Sequence, residues 1–254
     1  DGWHSPHTVV TAVTDDMPFL VDSVTAALNL KGVALHLLIH PILTVTRDAS
    51  GTLQGVEPAG TGPHESFLRF EVDQLGDQTQ LDDLAATVRG VLADVGTAVA
   101  DWRPMLAQVD TASADLMPAR DIVGEDVIEE ITAFLDWLRQ DHFTFVGYGR
   151  YALRRTDEGL FLAREPEHTL GIMKRLQQAP SQTFSQLPAE IREQAAAPTE
   201  PLILTKANSR STVHRSAYLD YVGVKRYAAD GSIVGEHRFL GLYTAGAYNR
   251  TPRD

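Results

Sequence analysis

The sequence predicts an α+β protein in which a ferredoxin-like domain is followed by an antiparallel sheet domain with flanking helices. Two observations predict this class. In the first hundred residues, segments with strand or helix periodicity follow one another in the order β-α-β-β-α, which is one strand short of a ferredoxin-like unit. In the second half, two strands, helical segments and three more strands follow each other. Hydrophobic residues make up 43% of the 254 residues, which is enough for the cores of one or two domains.

The first predicted strand is "TVVTAVT", residues 8–14, because β-branched residues dominate it. It leads into a helix, since apolar residues recur at three- and four-residue spacing over residues 20–28. Residues 33–46 and 66–72 alternate as strands do, and Pro41 is expected at a bulge or at an edge.

A long helical stripe over residues 81–106 completes the first domain, and a kink is expected near its end, around Pro104. A fourth strand is not found after it. The polar and aperiodic residues 110–125 predict an interdomain linker. The predicted domains are therefore 1–109 and 126–254.

The second domain is predicted to begin with an amphipathic helix over residues 127–138 and a hairpin over residues 142–164 that turns at 156–159. Less regular helical material is expected over residues 168–197. Three strands are expected to follow, at residues 202–207, 218–228 and 232–246, the last two joined by a turn at Asp230–Gly231.

Composition excludes several classes of function. A net charge of −12 opposes binding to the phosphate backbone, so nucleic acid is not an expected partner. The absence of cysteine excludes disulfides, thiolate chemistry and cysteine-ligated zinc. No apolar run reaches the roughly 18 residues that cross a bilayer, so no membrane span and a cytoplasmic location are expected. Because the chain begins without Met, it is interpreted as a piece of a larger protein.

The stretch "TDDMPFLVDS", residues 14–23, joins the first strand to the first helix. Adjacent Asp15 and Asp16 diverge on leaving a strand, so they do not suit a general acid and base acting on one atom. Two compatible interpretations remain. The carboxylates cap the helix, with Pro18 in its first turn, or the exposed amides of the helix bind an anionic ligand.

The stretch "LILTKANSRSTVHRSAYL", residues 202–219, contains cations and no acid in a chain that is acidic as a whole. Its cationic residues predict a contact with an anion or with an acidic surface of another domain. A solvated loop and strand edge is the alternative. The four residues are Lys206, Arg210, His214 and Arg215.

No catalytic or metal-binding constellation is predicted. His36 and His40 share a strand face, but four residues separate them by about 13 Å, which is too far for one ion. The sequence has no G-x-G-x-x-G turn, no Walker loop and no G-x-S-x-G elbow. No residue is therefore assigned a catalytic role, and neither a metal nor a cofactor is expected in this chain.

Three long strings, residues 15–45, 134–153 and 205–250, strongly resemble the large NAD-specific glutamate dehydrogenases of bacteria, in their N-terminal region. The resemblance implies an ACT-type domain followed by a PAS-like domain. It also implies that the oxidative deamination of glutamate with NAD belongs to a catalytic domain further along the parent chain. The fragment would then be non-catalytic and would serve regulation or assembly, with an amino-acid effector and other domains and subunits as partners. A structural oligomerisation scaffold that binds no ligand is the alternative.

ACT modules bind amino acids near the turn after the first strand, which often reads D-x-P-G-L. The resemblance therefore implies a ligand site in the segment that begins at Asp15. Here the motif reads Asp16-Met17-Pro18-Phe19-Leu20, with a phenylalanine in the place of the glycine. A phenyl ring is expected to obstruct the approach of a ligand to the backbone or to fill the pocket itself.

Overall fold

The computed structural model describes residues 4–57, 60, 62–156, 159–175 and 199–248. The chain divides into two compact units. The first unit is residues 1–96 together with 212–216, and the second unit is residues 97–211 and 217–254. The first unit therefore takes a short loop from a part of the sequence that was predicted to belong wholly to the second domain.

The first unit is a sheet with two helices, as its periodicity predicts. Its elements are β1 (Thr8–Asp15), α1 (Leu20–Leu30), β2 (Leu35–Ile39), β3 (Ile42–Arg47), β4 (Leu53–Glu57), β5 (His64–Val72) and α2 (Gln78–Ala100), whose last turn lies in the second unit.

The sheet of the first unit is antiparallel and is centred on β5. β1 pairs with one edge of β5, while β2 and β3 pair with the other edge and β4 pairs with β3. Pro41 separates β2 from β3 because it cannot donate to the ladder, so the strand predicted over residues 33–46 is divided in two. Sequence periodicity does not predict β4, because its five residues, Leu53–Glu57, are too few to show a clear alternation.

The core of the first unit comes from one stripe on each helix and from alternate residues of β5. Leu68, Phe70 and Val72 are fully buried on β5, whereas the residues between them are half-buried. The helical stripes contribute Leu20, Val24 and Leu28 from α1, and Leu84, Val88, Val91 and Val95 from α2. This alternation and these helical spacings are the ones that the sequence predicts.

The second unit has helices first and then a five-stranded antiparallel sheet in the order β7-β6-β10-β9-β8. The predicted hairpin and three final strands are confirmed, and the turn residues 157–158 lie outside the described residues. The elements are α3 (Trp102–Leu116), α4 (Arg120–Val123), α5 (Glu125–Trp137), β6 (Phe143–Thr156), β7 (Gly159–Gly171), β8 (Leu202–Arg210), β9 (Tyr218–Tyr227) and β10 (Ile233–Tyr243).

The linker predicted over residues 110–125 is instead helical, and the predicted end of the first domain at residue 109 lies inside α3. Ala112, Leu116 and Ala119 are fully buried and belong to the core of the second unit. The residues between them include the polar Ser113 and Asp115, and two of the three core residues are alanines. The helical stripe was therefore too weak to be recognised from hydrophobicity alone.

Two further expectations about the second unit have different outcomes. Residues 168–171, predicted to begin irregular helical material, continue strand β7, and a single turn of 3-10 helix follows at Ile172–Lys174. The remainder of that prediction, residues 176–198, lies outside the described residues.

Among the helices that the structure describes, none combines the length and the apolar character that a bilayer crossing needs.

Candidate functional site

The turn between β1 and α1 forms a corner at which Phe19 takes an unusual conformation. Phe19 precedes the helix in the N-cap position with a φ of 73°, in the left-handed region, and makes no side-chain cap hydrogen bond. The predicted capping of α1 by Asp15 or Asp16 is therefore wrong. Glycine adopts this conformation without the steric cost that a Cβ atom brings.

Asp16 is bound to the sheet instead of capping the helix. Its backbone N–H donates to the carbonyl oxygen of His64 at 3.0 Å. Its carboxylate accepts a hydrogen bond from the hydroxyl of Ser66 at 2.6 Å, and the same hydroxyl lies 2.9 Å from Nε2 of His40. Because the serine proton is donated to Asp16, the hydroxyl oxygen accepts from an Nε2–H of His40.

This order of groups does not suit nucleophilic catalysis. A nucleophilic serine gives its proton to the histidine, whereas here the hydroxyl of Ser66 lies between the carboxylate and the imidazole. Ser66 is also fully buried. The chain of three groups therefore ties the corner to β5 and to the residues that connect β2 with β3. The sequence signal for it was a serine on the otherwise apolar face of β5.

The corner is covered by the loop of residues 212–216, which belongs to the same unit. The ring of His214 lies 5.0 Å from the ring of Phe19, centroid to centroid, at an angle of 45°. The backbone N–H of His214 donates to the hydroxyl of Ser23 at 2.8 Å, and its Nδ1 lies 3.4 Å from Oδ2 of Asp22. Two predicted sites, the corner and part of the cationic stretch, thus meet at one place.

Two further contacts hold this loop on the first unit. Val213 is fully buried, and the hydroxyl of Thr212 donates to the carboxylate of Asp94 on α2 at 2.8 Å. His214 itself has a φ of 69°, so two residues other than glycine take the left-handed conformation where their rings touch. Such strain persists only when surrounding contacts enforce it.

The other residues predicted for the corner differ in exposure. Asp15, Asp16 and Pro18 are exposed, Met17 and Phe19 are half-buried, and Leu20 is buried in the core. Among these residues, Asp15, Asp16 and Pro18 are therefore the most accessible to a ligand.

The four predicted cations are divided between the two units. His214 and the exposed Arg215 lie in the loop of the first unit. Lys206 and Arg210 lie on β8 in the second unit, where Nζ of Lys206 is 2.5 Å from the carboxylate of the buried Asp220. The guanidinium of Arg210 lies 4.7 Å from the centre of the Tyr218 ring. The two residues on β8 therefore have interactions within their own unit.

The second unit contains a buried polar network that sequence reasoning missed. The hydroxyl of Tyr148 lies 2.7 Å from Nδ1 of His237, and Nε2 of His237 lies 3.0 Å from the carboxylate of Asp115. Arg226 donates to the same carboxylate at 3.1 Å, and it also lies 3.5 Å from Glu165. These residues come from α3 and four strands, so local sequence patterns could not bring them together.

The network resembles a catalytic carboxylate–histidine–hydroxyl arrangement, but its reacting groups are sealed. Tyr148 and His237 are both fully buried. Burial raises the pKa of the Tyr148 hydroxyl and lowers the pKa of His237, whereas the hydrogen bond from His237 lowers the pKa of Asp115. A neutral imidazole therefore connects an ionised carboxylate to a protonated tyrosine. This arrangement stabilises the packing of α3 against the sheet.

A cleft of about 340 Å³ opens at the other end of α1. Its charged groups are already paired, because Lys31 forms an ion pair with Asp83, and Asp73 accepts hydrogen bonds from His36 and from the backbone N–H of Ala34. In the described part of the chain, no three His, Asp or Glu side chains converge as metal ligands would.

Residues 1–88 match the family model described as "Glutamate dehydrogenase, ACT1 domain". The β1–α1 corner, with the motif from Asp16 to Leu20, lies inside the ACT1 domain.

The whole chain is also similar to curated relatives named NAD-specific glutamate dehydrogenase. It is 35% identical to the relative from Halomonas elongata and 34% identical to that from Pseudomonas aeruginosa, in both cases over 100% of the chain. It is 28% identical to the relative from Mycobacterium tuberculosis over 91% of the chain. The chain spans 16% of the length of the first two relatives and 13% of the third. The predicted resemblance is thereby confirmed.

The corner of the ACT1 domain does not fit the pyrophosphate of NAD. Dinucleotide sites use a glycine-rich turn from a strand into a helix, which lets the phosphates approach the backbone. The turn from β1 to α1 contains no glycine, Phe19 presents a side chain there, and Asp16 adds a negative charge.

Proposed function

We propose that this chain is a non-catalytic, N-terminal regulatory and assembly segment of an NAD-dependent glutamate dehydrogenase. In this proposal the parent enzyme oxidatively deaminates L-glutamate to 2-oxoglutarate and ammonia with NAD, and its catalytic domain lies outside these residues. The observation that carries the proposal is the ACT1 match at residues 1–88, within a similarity that extends over the whole chain. The helices and antiparallel sheet of the second unit are assigned to a PAS-like domain.

The polar groups of the chain support a non-catalytic role. The hydroxyl of Ser66 is bonded on both sides, and the imidazole of His237 is held between Tyr148 and Asp115. Groups with these partners contribute to stability, and Ser66, Tyr148 and His237 are fully buried, so none of these three side chains faces an open cleft.

The regulatory part of the proposal places an amino-acid effector at the corner from Asp15 to Leu20. An effector that reaches the amides of this turn has to displace the ring of His214 from Phe19, because the two rings are in contact. Binding would therefore be coupled to the position of the 212–216 loop. Coupling of this kind requires the ligand to prefer one arrangement of the loop over the other.

Calorimetry of the chain against glutamate and a panel of amino acids tests the effector site. His214→Ala should bind the effector more tightly than the wild-type chain, because the competing ring is gone. Arg210→Ala, which removes a cation from β8, should leave the affinity unchanged. No heat at millimolar ligand in any of these proteins would refute the effector site, and glutamate-dependent NAD reduction by the chain alone would refute the non-catalytic role.

A purely structural scaffold is the second candidate, and the contact between Phe19 and His214 favours it because the chain's own side chains cover the corner. Its partners would be other domains and subunits of the parent enzyme. A full-length parent that assembles normally without residues 1–109 would rule out this role.

A further inference from the structure

One edge of β1 carries unpaired backbone groups. In an antiparallel ladder, alternate residues bond to the neighbouring strand and the residues between them point away from it. Asp16 bonds to His64 across the ladder of β1 and β5, so the even-numbered residues of β1 face β5. The N–H and C=O groups of the odd-numbered residues, from Val9 to Asp15, therefore face the opposite edge. In the described part of the chain, no strand pairs with that edge.

The edge of β1 lacks the features that usually protect a strand from pairing. Over its eight residues β1 has no bulge, no proline and no charge before Asp15, and Val13 is 53% exposed. The opposite rim of the sheet is different, because β4 has only five residues, ends in Glu57 and pairs with a register shift. Natural proteins rarely leave a long, regular and uncharged edge open to water.

We infer that β1 pairs with β1 of a second copy of this chain, antiparallel and about a two-fold axis. The register that uses every unpaired group of the edge places Val9 opposite Asp15 of the second copy and Thr11 opposite its Val13. Ala12 then lies opposite Ala12 on the axis. The two sheets become one continuous antiparallel sheet.

The strand is complementary to itself in this register. Asp15, its one charged residue, faces Val9, so no like charges are opposed. The other opposed residues are β-branched or alanine, which suit a pleated surface. The half-exposed Val13, which lies opposite Phe67 across the first sheet, is brought beside Thr11 of the second copy, so an exposed apolar side chain is covered.

This pairing rests on the assembly part of the proposed function and names its partner. The pairing can nevertheless be refuted without refuting the proposed function. Cysteine cross-linking and sedimentation velocity use neither glutamate nor NAD. A monomeric chain would therefore refute the pairing, while the non-catalytic role is tested by calorimetry and by NAD reduction.

Cross-linking through single cysteines tests the register, because the chain contains no cysteine of its own. Directly opposed residues in a non-hydrogen-bonded antiparallel pair have Cα atoms about 4.5 Å apart, which a disulfide can span. Ala12→Cys should therefore form a disulfide-linked dimer on mild oxidation. Val10→Cys is the matched control on the same face of β1. The two copies of residue 10 would be about 13 Å apart and should not cross-link.

Sedimentation velocity of the full chain over a concentration series tests the surface. Val13→Lys places one lysine of each copy diagonally across the axis, on the same face of the joined sheet, and replaces the covered valine, so it should raise the dimer dissociation constant about tenfold. Val56→Lys makes the same change on β4, at a residue of similar exposure, and should leave the constant unchanged. A wild-type chain that stays monomeric, equal effects of the two lysines, or a dimer that cross-links at residue 10 and not at residue 12 would each overturn the inference.

Discussion

Phe19 has a backbone conformation in which a Cβ atom is costly, and this gives it a distinctive response to substitution. Its φ of 73° costs a residue with a side chain about 1 kcal/mol relative to glycine. The contact of its ring with His214 opposes that cost. The phenylalanine is therefore retained by its side-chain contact and not by its backbone preference.

We expect Phe19→Gly to be more stable than Phe19→Ala by about 1 kcal/mol, since both lose the ring and only alanine keeps the strain. Denaturant unfolding of the first unit measures the difference. Ala86→Gly, at an exposed position in α2, should show the ordinary order, in which glycine is less stable than alanine. If Phe19→Ala were the more stable variant, strain at this corner would be disproved.

The buried His237 is predicted to make the second unit sensitive to mild acid. Burial lowers its pKa from the ordinary 6.5, so the folded unit binds fewer protons than the unfolded chain and acidification favours unfolding. The stability that this histidine contributes is complete above about pH 6.5 and is lost as the pH falls from there through the lower folded pKa.

Urea unfolding at about pH 7.5 and about pH 5.5 measures this loss, which His237→Gln should reduce. The exposed His4 provides a control, and His4→Gln should keep the wild-type difference. The pKa of Asp115 is itself lowered from 3.8, so its own titration falls below this pH range. An unchanged pH dependence in His237→Gln would show that the buried imidazole is not responsible.

At the scale of elements, α3 shows where periodicity succeeds and where it fails. Strands such as β1 and β5, and the stripe of α1, follow simple spacing rules and were predicted from the sequence. The sequence of the second half of α3 instead predicts a linker, because its buried face uses alanine between polar residues. The short β4 was missed because five residues give too few alternations to recognise.

Leu116 tests whether the second half of α3 is packed in the core of the second unit. A residue in a solvated linker tolerates truncation, whereas Leu116→Ala in a packed core should cost about 2–5 kcal/mol. Met117→Ala, one residue further and 42% exposed, should change the free energy of unfolding by less than about 0.5 kcal/mol. Thermal or denaturant unfolding of the second unit would reveal equal effects if the segment were not packed.

At the scale of the whole molecule, the limits of sequence reasoning are set by distance along the chain. The candidate corner was predicted from a local motif, but the loop that covers it comes from about 190 residues away, as the bond between Ser23 and His214 shows. Asp115 and His237 are likewise 122 residues apart. A single sequence contains no local signal for such pairs.

Because residues 212–216 belong to the first unit, we expect a substitution in this loop to weaken that unit. Val213→Asp would bury a charge in that unit and should cost more than about 3 kcal/mol, with faster amide hydrogen exchange in α1. Ser209→Asp adds the same charge at an exposed residue on β8 and should leave α1 unaffected. Protection of α1 that is equal in both variants would contradict the assignment of the loop to this unit.

Because residues 212–216 complete the first unit, that unit is not encoded by one continuous stretch of the gene. A chimera that exchanges residues 1–96 between two relatives would separate residue 19 from the partner at position 214 with which it packs in its own chain. Transplanting both stretches together should restore the fit, and the two stretches are expected to have co-varied during the divergence of these proteins.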